Sequence, residues 1–336
     1  MVVINSYPVA VLLCVITMLC WGSWANTQKL TSRQWPFQLF YWDYALGVVL
    51  VSVVLAFTLG STGTAGRHFL ADLTQAEGKW LGLAFLGGVI FNLSNILLVA
   101  AIDIAGMAVA FPVGVGIALV LGVITTYRAT GTGNVPLLTA GVACVLVAIL
   151  LDAAAYRRLS ANSSGASQRG LILSLAAGLL MGWFFSFVAR SIGTLNPTTS
   201  ILEPGKLSPY SALFFFSLGL FCSNFIWNGI VMMRPFHGPR VTYREYFERG
   251  NPRLHLVGIL GGVIWNIGMS VSVLASSTAG PALSYGLGQG ATMVGAFWGV
   301  FIWREFRAAP RGTGKYLIAM FFFYALGLTI LISSKL

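Results

Sequence analysis

Seven residues stand where ordinary surface solvation does not explain them. Asn92 and Asn266 fall near the middle of two long apolar stretches, and Asp43, in Tyr41-Trp42-Asp43-Tyr44, is the acidic residue set deepest in any such stretch. An amide both donates and accepts hydrogen bonds, so the two asparagines suit a neutral polar solute. A carboxylate in lipid gains by becoming neutral, which suits Asp43 to take up and release a proton. Each also has a plain structural reading: the asparagines as hydrogen-bonding glue between helices, Asp43 as half of an ion pair with Lys29 or Arg190. Tyr285 and Gln289 sit among Gly286, Gly288 and Gly290, a run that answers Gly114 and Gly116 earlier in the chain. Such small residues either let helices pack closely or expose backbone at a cavity wall, where Tyr285 and Gln289 would hydrogen-bond a ligand. Trp24 and Trp265 have polar neighbours and lie too deep for a simple interfacial belt, so they offer a platform for a small, partly planar solute.

Other polar groups carry less weight. Asp103 and Asp152 lie near the ends of apolar stretches and can reach the interface, and Arg190 can snorkel in the same way. The three histidines, His68, His237 and His255, are far apart in or beside loops, and Cys14, Cys20, Cys144 and Cys222 show no metal-ligand spacing. No HExxH, GxSxG or GxxxxGK[ST] motif occurs. No cofactor or metal is expected, and a membrane-embedded enzyme is a weak reading.

The elements that must position these residues are membrane helices. The apolar set makes up 57% of the 336 residues while charged residues make up 9%, and the charges gather in the gaps between long apolar runs. A bilayer core of ~30 Å takes ~20 residues of helix. Ten stretches qualify, at residues 7–26, 37–59, 79–102, 105–127, 135–155, 170–191, 210–233, 254–276, 281–303 and 315–333. The first has the outline of a signal peptide, but no Lys or Arg precedes it, which favours an uncleaved helix. The net charge of +11 is spread over many short connections, so it points to membrane topology rather than to nucleic acid.

An internal repeat organises the ten. Leu86-Gly87-Gly88-Val89-Ile90-Phe91-Asn92 returns as Leu260-Gly261-Gly262-Val263-Ile264-Trp265-Asn266, and the same offset of 174 gives 14 identities over residues 86–128. It also lays Leu39-Phe40-Tyr41 on Leu213-Phe214-Phe215 and Asp43 on Ser217. The expected fold is therefore an all-α membrane protein of two five-helix repeats, residues 1–155 and 170–336, joined by a short polar connection at 156–169. Five is odd, so the second repeat enters the membrane from the opposite side, and the copies are inverted as in alternating-access transporters. Inversion would bring Asn92 and Asn266 together near the midplane. Fourteen of the 20 Lys and Arg fall on connections that share one side, which by the positive-inside rule places both termini outside the cytoplasm of a cell membrane.

Gly22-Ser23-Trp24, followed by Pro36, Gln38 and Asp43-Tyr44, resembles the first two helices of the ureide permeases. Phe297-Trp298-Gly299-Val300, followed by Glu305-Phe306-Arg307, is similar to the same family's ninth-helix pattern. The likeness spans essentially all ten helices and implies membership of the drug/metabolite transporter superfamily, beside the rhamnose-proton symporters and the glucose/ribose porters. It implies a permease for a small neutral solute, a ureide or nucleobase, with the proton as coupling ion and the lipid bilayer as its surroundings. A sugar or deoxysugar porter is the alternative, and a drug exporter is less favoured. Plant members carry a long central loop with a nucleotide-binding-like motif, which the short segment at residues 156–169 lacks.

Overall fold

Apolar runs of this length have no soluble partner for their side chains, so the backbone satisfies itself as helix. The computed structural model describes residues 1–31, 34–105, 107–131, 133–159, 168–196, 198–236 and 238–334. His237 and the side chain of Asp103 lie outside that set. Long helices form where expected: α1 (Tyr7–Ser23) continued by α2 (Ala25–Thr31), α3 (Phe37–Phe57), α5 (Gly78–Ala105), α6 (Met107–Thr130), α7 (Val135–Leu159), α8 (Gln168–Ser191), α9 (Pro209–Met233), α11 (Pro252–Ala279) and α14 (Thr313–Ser333). Two short helices, α4 (Phe69–Gln75) and α10 (Tyr243–Arg249), lie in the connections. Local chemistry fixes the starts: the Ser208 side chain accepts from Ser211 N ahead of Pro209, and the Asn251 side chain accepts from Leu254 N ahead of Pro252. Thr242 and Glu245 form a reciprocal capping box that starts α10.

One expected helix is broken. Nine helices among the described residues are long and apolar enough to cross a membrane, whereas residues 281–303 divide into α12 (Pro281–Gly288), α13 (Ala291–Phe297) and a π turn (Trp298–Ile302). Gly288-Gln289-Gly290 supplies two poor helix formers, and the chain tightens there, with Gly290 N bonding Leu287 O at 2.9 Å. Irregular backbone at membrane depth is tolerated where it borders protein or a wet cavity, and the break lies on such a cavity.

Close backbone contacts knit α5 to α9 and α11 to α3. A Cβ on Gly88 would stand 1.9 Å from Phe216 O, and one on Gly262 would stand 1.9 Å from Tyr44 O. Gly219 faces Phe85 O and Gly47 faces Ile259 O, each with a Cβ separation of 2.1 Å. The residues on α5 and α11 correspond at the offset of 174. Those on α3 and α9 correspond at 172, because the second stretch between paired glycines is two residues longer than the first. The contact register therefore sets Asp43 against Phe215 rather than Ser217, a correction of two residues to the alignment drawn from sequence.

The bundle has two unlike ends. At the end that holds Met1, the chain is sealed: the Met1 amine donates to Ala65 O at 2.7 Å and Tyr210 Oη to Val2 O at 3.0 Å. Arg67 there bonds the carbonyls of Leu202, Glu203 and Lys206 at 2.8–2.9 Å and the Asp72 carboxylate at 2.9 Å. This fastens the loop between α8 and α9 over the helix ends. The opposite end, which carries α10 and most of the basic residues, is open.

Candidate functional site

A cavity of about 460 Å³ runs from the middle of the bundle to that open, basic end. Its inner part is aromatic. Trp265 of α11 stacks on Phe91 of α5 at 4.4 Å and on Trp21 of α1 at 6.0 Å, and the Trp21 indole N–H donates to Trp265 O at 3.2 Å. Offset stacks of this kind fix the rings as a rigid platform. Trp24 also lines the wall, its ring 4.9 Å from that of Tyr44. Two amides stand beside the platform. Gln289 is brought there by the break after α12. Asn95, one turn beyond Asn92, donates through Nδ2 to Tyr41 Oη at 3.1 Å, which leaves its carbonyl oxygen as an acceptor on the wall.

The mouth is built from the residues that carried the sequence resemblance. The Trp298 indole donates to Ser23 Oγ at 2.9 Å, and Trp303 donates to Asn26 Oδ1 at 2.6 Å, so α1, α2 and the segment after α13 hold one another. Glu305 takes Lys29 Nζ on one oxygen at 2.5 Å and Tyr156 Oη on the other at 2.9 Å. Gly299 allows this, since a Cβ there would lie 2.9 Å from Tyr156 Oη and 3.1 Å from Glu305 Oε2. The Lys29–Glu305 pair is part exposed, at 44% and 29%, which makes it a screened contact better suited to holding the mouth together than to adding stability.

Three of the seven residues singled out in the sequence line the cavity: Trp24, Trp265 and Gln289. The other four do not. Asn92 Nδ2 donates to Leu220 O at 3.1 Å and Ser223 Oγ at 2.9 Å, and Asn266 Nδ2 donates to Val48 O at 2.5 Å; both residues are wholly buried at the close contacts of the helix pairs. They occupy equivalent places and act as glue, apart from each other. Tyr285 is wedged between α6 and α8, its hydroxyl bonding Ala118 O at 3.1 Å and Met181 O at 3.2 Å. Glycine makes the room, for a Cβ on Gly122 would lie 2.1 Å from the Tyr285 ring.

Asp43 lies outside the cavity as well. Its partners are neither Lys29 nor Arg190 but His255 Nδ1 at 2.9 Å, the Trp35 indole at 3.2 Å and the Tyr246 hydroxyl. The histidine set aside in the sequence as a loop residue is thus the group that faces it. Burial raises the Tyr246 phenol well above the ordinary tyrosine range, with the Asp43 hydrogen bond adding to it, so this hydroxyl remains a donor. The cluster ties α10 and the start of α11 to α3.

Sequence reasoning missed Asn95 and Tyr156, gave Asp152 low weight and met Glu305 only within the family motif, and all four are on the cavity wall. The spacings held a signal: Asn95 follows Asn92 by three residues and Tyr156 follows Asp152 by four, which in each case is one turn of the same helix.

With the site in place, its relatives can be compared. A sequence model of the ureide permease family matches residues 40–169 and 162–334, two segments that meet at the central connection. The chain belongs to the ureide permease family. It is similar to ureide permease 1 of Arabidopsis thaliana, 24% identical with 100% of this chain and 99% of the relative covered. It is also similar to ureide permease 3 of that plant, at 26% with 84% and 89% covered. The probable ureide permease A3 of Vigna unguiculata is 23% identical, with 87% and 94% covered. A solved protein structure at 17% identity superposes with a TM-score of 0.61 over 97% of this chain and 96% of its own, a likeness of fold. The family is one of permeases, so the chain is a multi-pass membrane transporter and not an enzyme.

Proposed function

We propose that this ureide permease relative binds a small, neutral, nitrogen-rich solute of the ureide or nucleobase type in the cavity and carries it by alternating access, coupled to protons. The observation that carries the reading is the aromatic platform of Trp265, Phe91 and Trp21 flanked by the amides of Asn95 and Gln289. A planar ureide has apolar faces to stack and an edge of N–H and C=O groups to pair, which matches one platform and two amides. The volume lies in the usual range for small-molecule sites. The names of the curated relatives favour a ureide over the sugar alternative.

In this reading residues 1–155 and 170–336 are inverted halves. The contacts that Asn92 and Gly88 make with α9 match those that Asn266 and Gly262 make with α3, which supports it. The basic end is cytoplasmic, so both termini are outside and the structure represents the inward-open state. Two carboxylates are available for the proton: Asp43, in its cluster with His255, and Asp152, on the cavity wall. Uptake into proteoliposomes of allantoin, uracil, xanthine, glucose and rhamnose, with and without an imposed proton gradient, tests the function. Gradient-driven accumulation of a ureide or nucleobase supports it, and accumulation of only the sugars replaces it with the porter reading.

A further inference from the structure

Among the described residues Asp152 differs from Asp43 in having no donor or cation bonded to its carboxylate. It lies seven residues before the end of α7, roughly 10 Å along the helix axis. It is 7% exposed, lines the cavity, and its Oδ1 is sealed from solvent without a hydrogen-bond donor. The polar groups that face it are committed elsewhere. Tyr156, one turn on, donates to Glu305, and Glu305 is closed on its other oxygen by Lys29. Tyr324 of α14 donates to Thr292 Oγ1 at 2.6 Å. None of the described ion pairs includes Asp152.

A bare carboxylate in such a place is costly to keep charged, whereas the protonated acid is neutral and becomes a donor. The empty site thus lacks one thing, an acceptor for that O–H. A urea-type carbonyl is such an acceptor, and its flanking N–H groups would donate to the side-chain oxygens of Asn95 and Gln289.

We propose that Asp152 carries the transported proton and, while protonated, donates it in a hydrogen bond to a carbonyl of the solute. The inference rests on the ureide reading above and names how that site recognises its ligand. A proton from water on the uptake side forms the O–H bond on Asp152. Solute binds to the neutral acid, and the loaded cavity turns to the other side. After the solute leaves, the O–H bond breaks, the proton passes to water there, and the carboxylate is regenerated. Coupling follows because the solute site is complete only in the protonated form. Asp43, held by three donors, is by contrast an anchor for α10.

The test pairs a measurement without solute to one with it. Purified, solute-free protein in lipid at acidic pH should show the infrared carbonyl stretch of a protonated carboxylic acid that fades as the pH rises through the titration midpoint, and Asp152→Asn should remove it. Allantoin affinity of the unaltered protein should fall about tenfold per pH unit above the titration midpoint, as a single linked proton requires. Asp152→Asn, whose amide N–H replaces the acid O–H, should bind at every pH without that slope and exchange allantoin without accumulating it. Asp152→Ala should bind weakly throughout. The proposal is overturned if the unaltered protein lacks the band, if the band survives in Asp152→Asn, or if that variant still accumulates allantoin against its gradient. A protein that shows the band, loses it in Asp152→Asn and takes up nothing from the solute panel supports the protonated acid and sinks the ureide reading instead.

Discussion

Replacing Gln289, Asn92 and Asn266 in turn by alanine separates ligand contact from helix glue. Asn92 and Asn266 each give their amide N–H to the backbone of a neighbouring helix, while their carbonyl oxygens are buried without a donor. Truncation therefore loses two bonds at Asn92 and one at Asn266 and in each case also removes one unsatisfied acceptor, so the cost sits near the average of ~0.6 kcal/mol per polar contact between membrane helices. It appears in the ligand-free melting temperature, and solute affinity stays unchanged because neither side chain reaches the cavity. Gln289 lines the cavity and makes no side-chain bond across helices among the described residues, so Gln289→Ala should leave melting nearly unaltered. Its loss should weaken binding by about 1–3 kcal/mol, or roughly 5- to 150-fold. Differential scanning fluorimetry in detergent and isothermal titration with allantoin read the two quantities. Full affinity in Gln289→Ala, or a large affinity loss in either asparagine variant, refutes the placement of the site.

Other variants probe the frame. Gly262→Ala forces a Cβ against Tyr44 O and should destabilise by about 1–3 kcal/mol or prevent folding, as measured by melting and size-exclusion profile. Arg67→Ala leaves the buried Asp72 carboxylate without its cation and frees the loop between α8 and α9. It should cost about 3–5 kcal/mol and expose residues 192–208 to limited proteolysis, and an unchanged digestion pattern would contradict the lock. Tyr246→Phe removes one donor from Asp43 and should lower stability by about 1.5–3 kcal/mol while leaving solute affinity intact, which melting and titration together check.

The helices and their order were legible because apolar length is a strong constraint in a bilayer, and Gly88 and Gly262 stood out because glycines at backbone contacts cannot be exchanged for larger residues. The break at Gln289 was not, since apolar length alone does not report a helix interruption. Asn92 and Asn266 misled because a buried amide has the same sequence signature whether it meets a ligand or a neighbouring carbonyl. Asp152 was discounted because the apolar stretch that holds it ends at residue 155, whereas α7 runs on to Leu159 and Asp152 lies on the cavity wall. Asp43 was found, and Trp35 lies only eight residues before it, but its other two partners came from α10 and α11, more than 200 residues away, a distance that spacing rules do not bridge.

Labelling of a cysteine in the cavity tests the account most directly. Ala296 is a small wall residue, and Ala296→Cys in a chain whose four native cysteines are replaced places one thiol on the cavity wall. In oriented vesicles, a membrane-impermeant maleimide should label it from the side that bears the basic connections, and allantoin or another transported solute should slow the reaction in proportion to occupancy. A thiol that is inert from that side, or whose labelling no transported solute alters, would contradict the claim that this cavity is the solute site and that it opens toward the basic end.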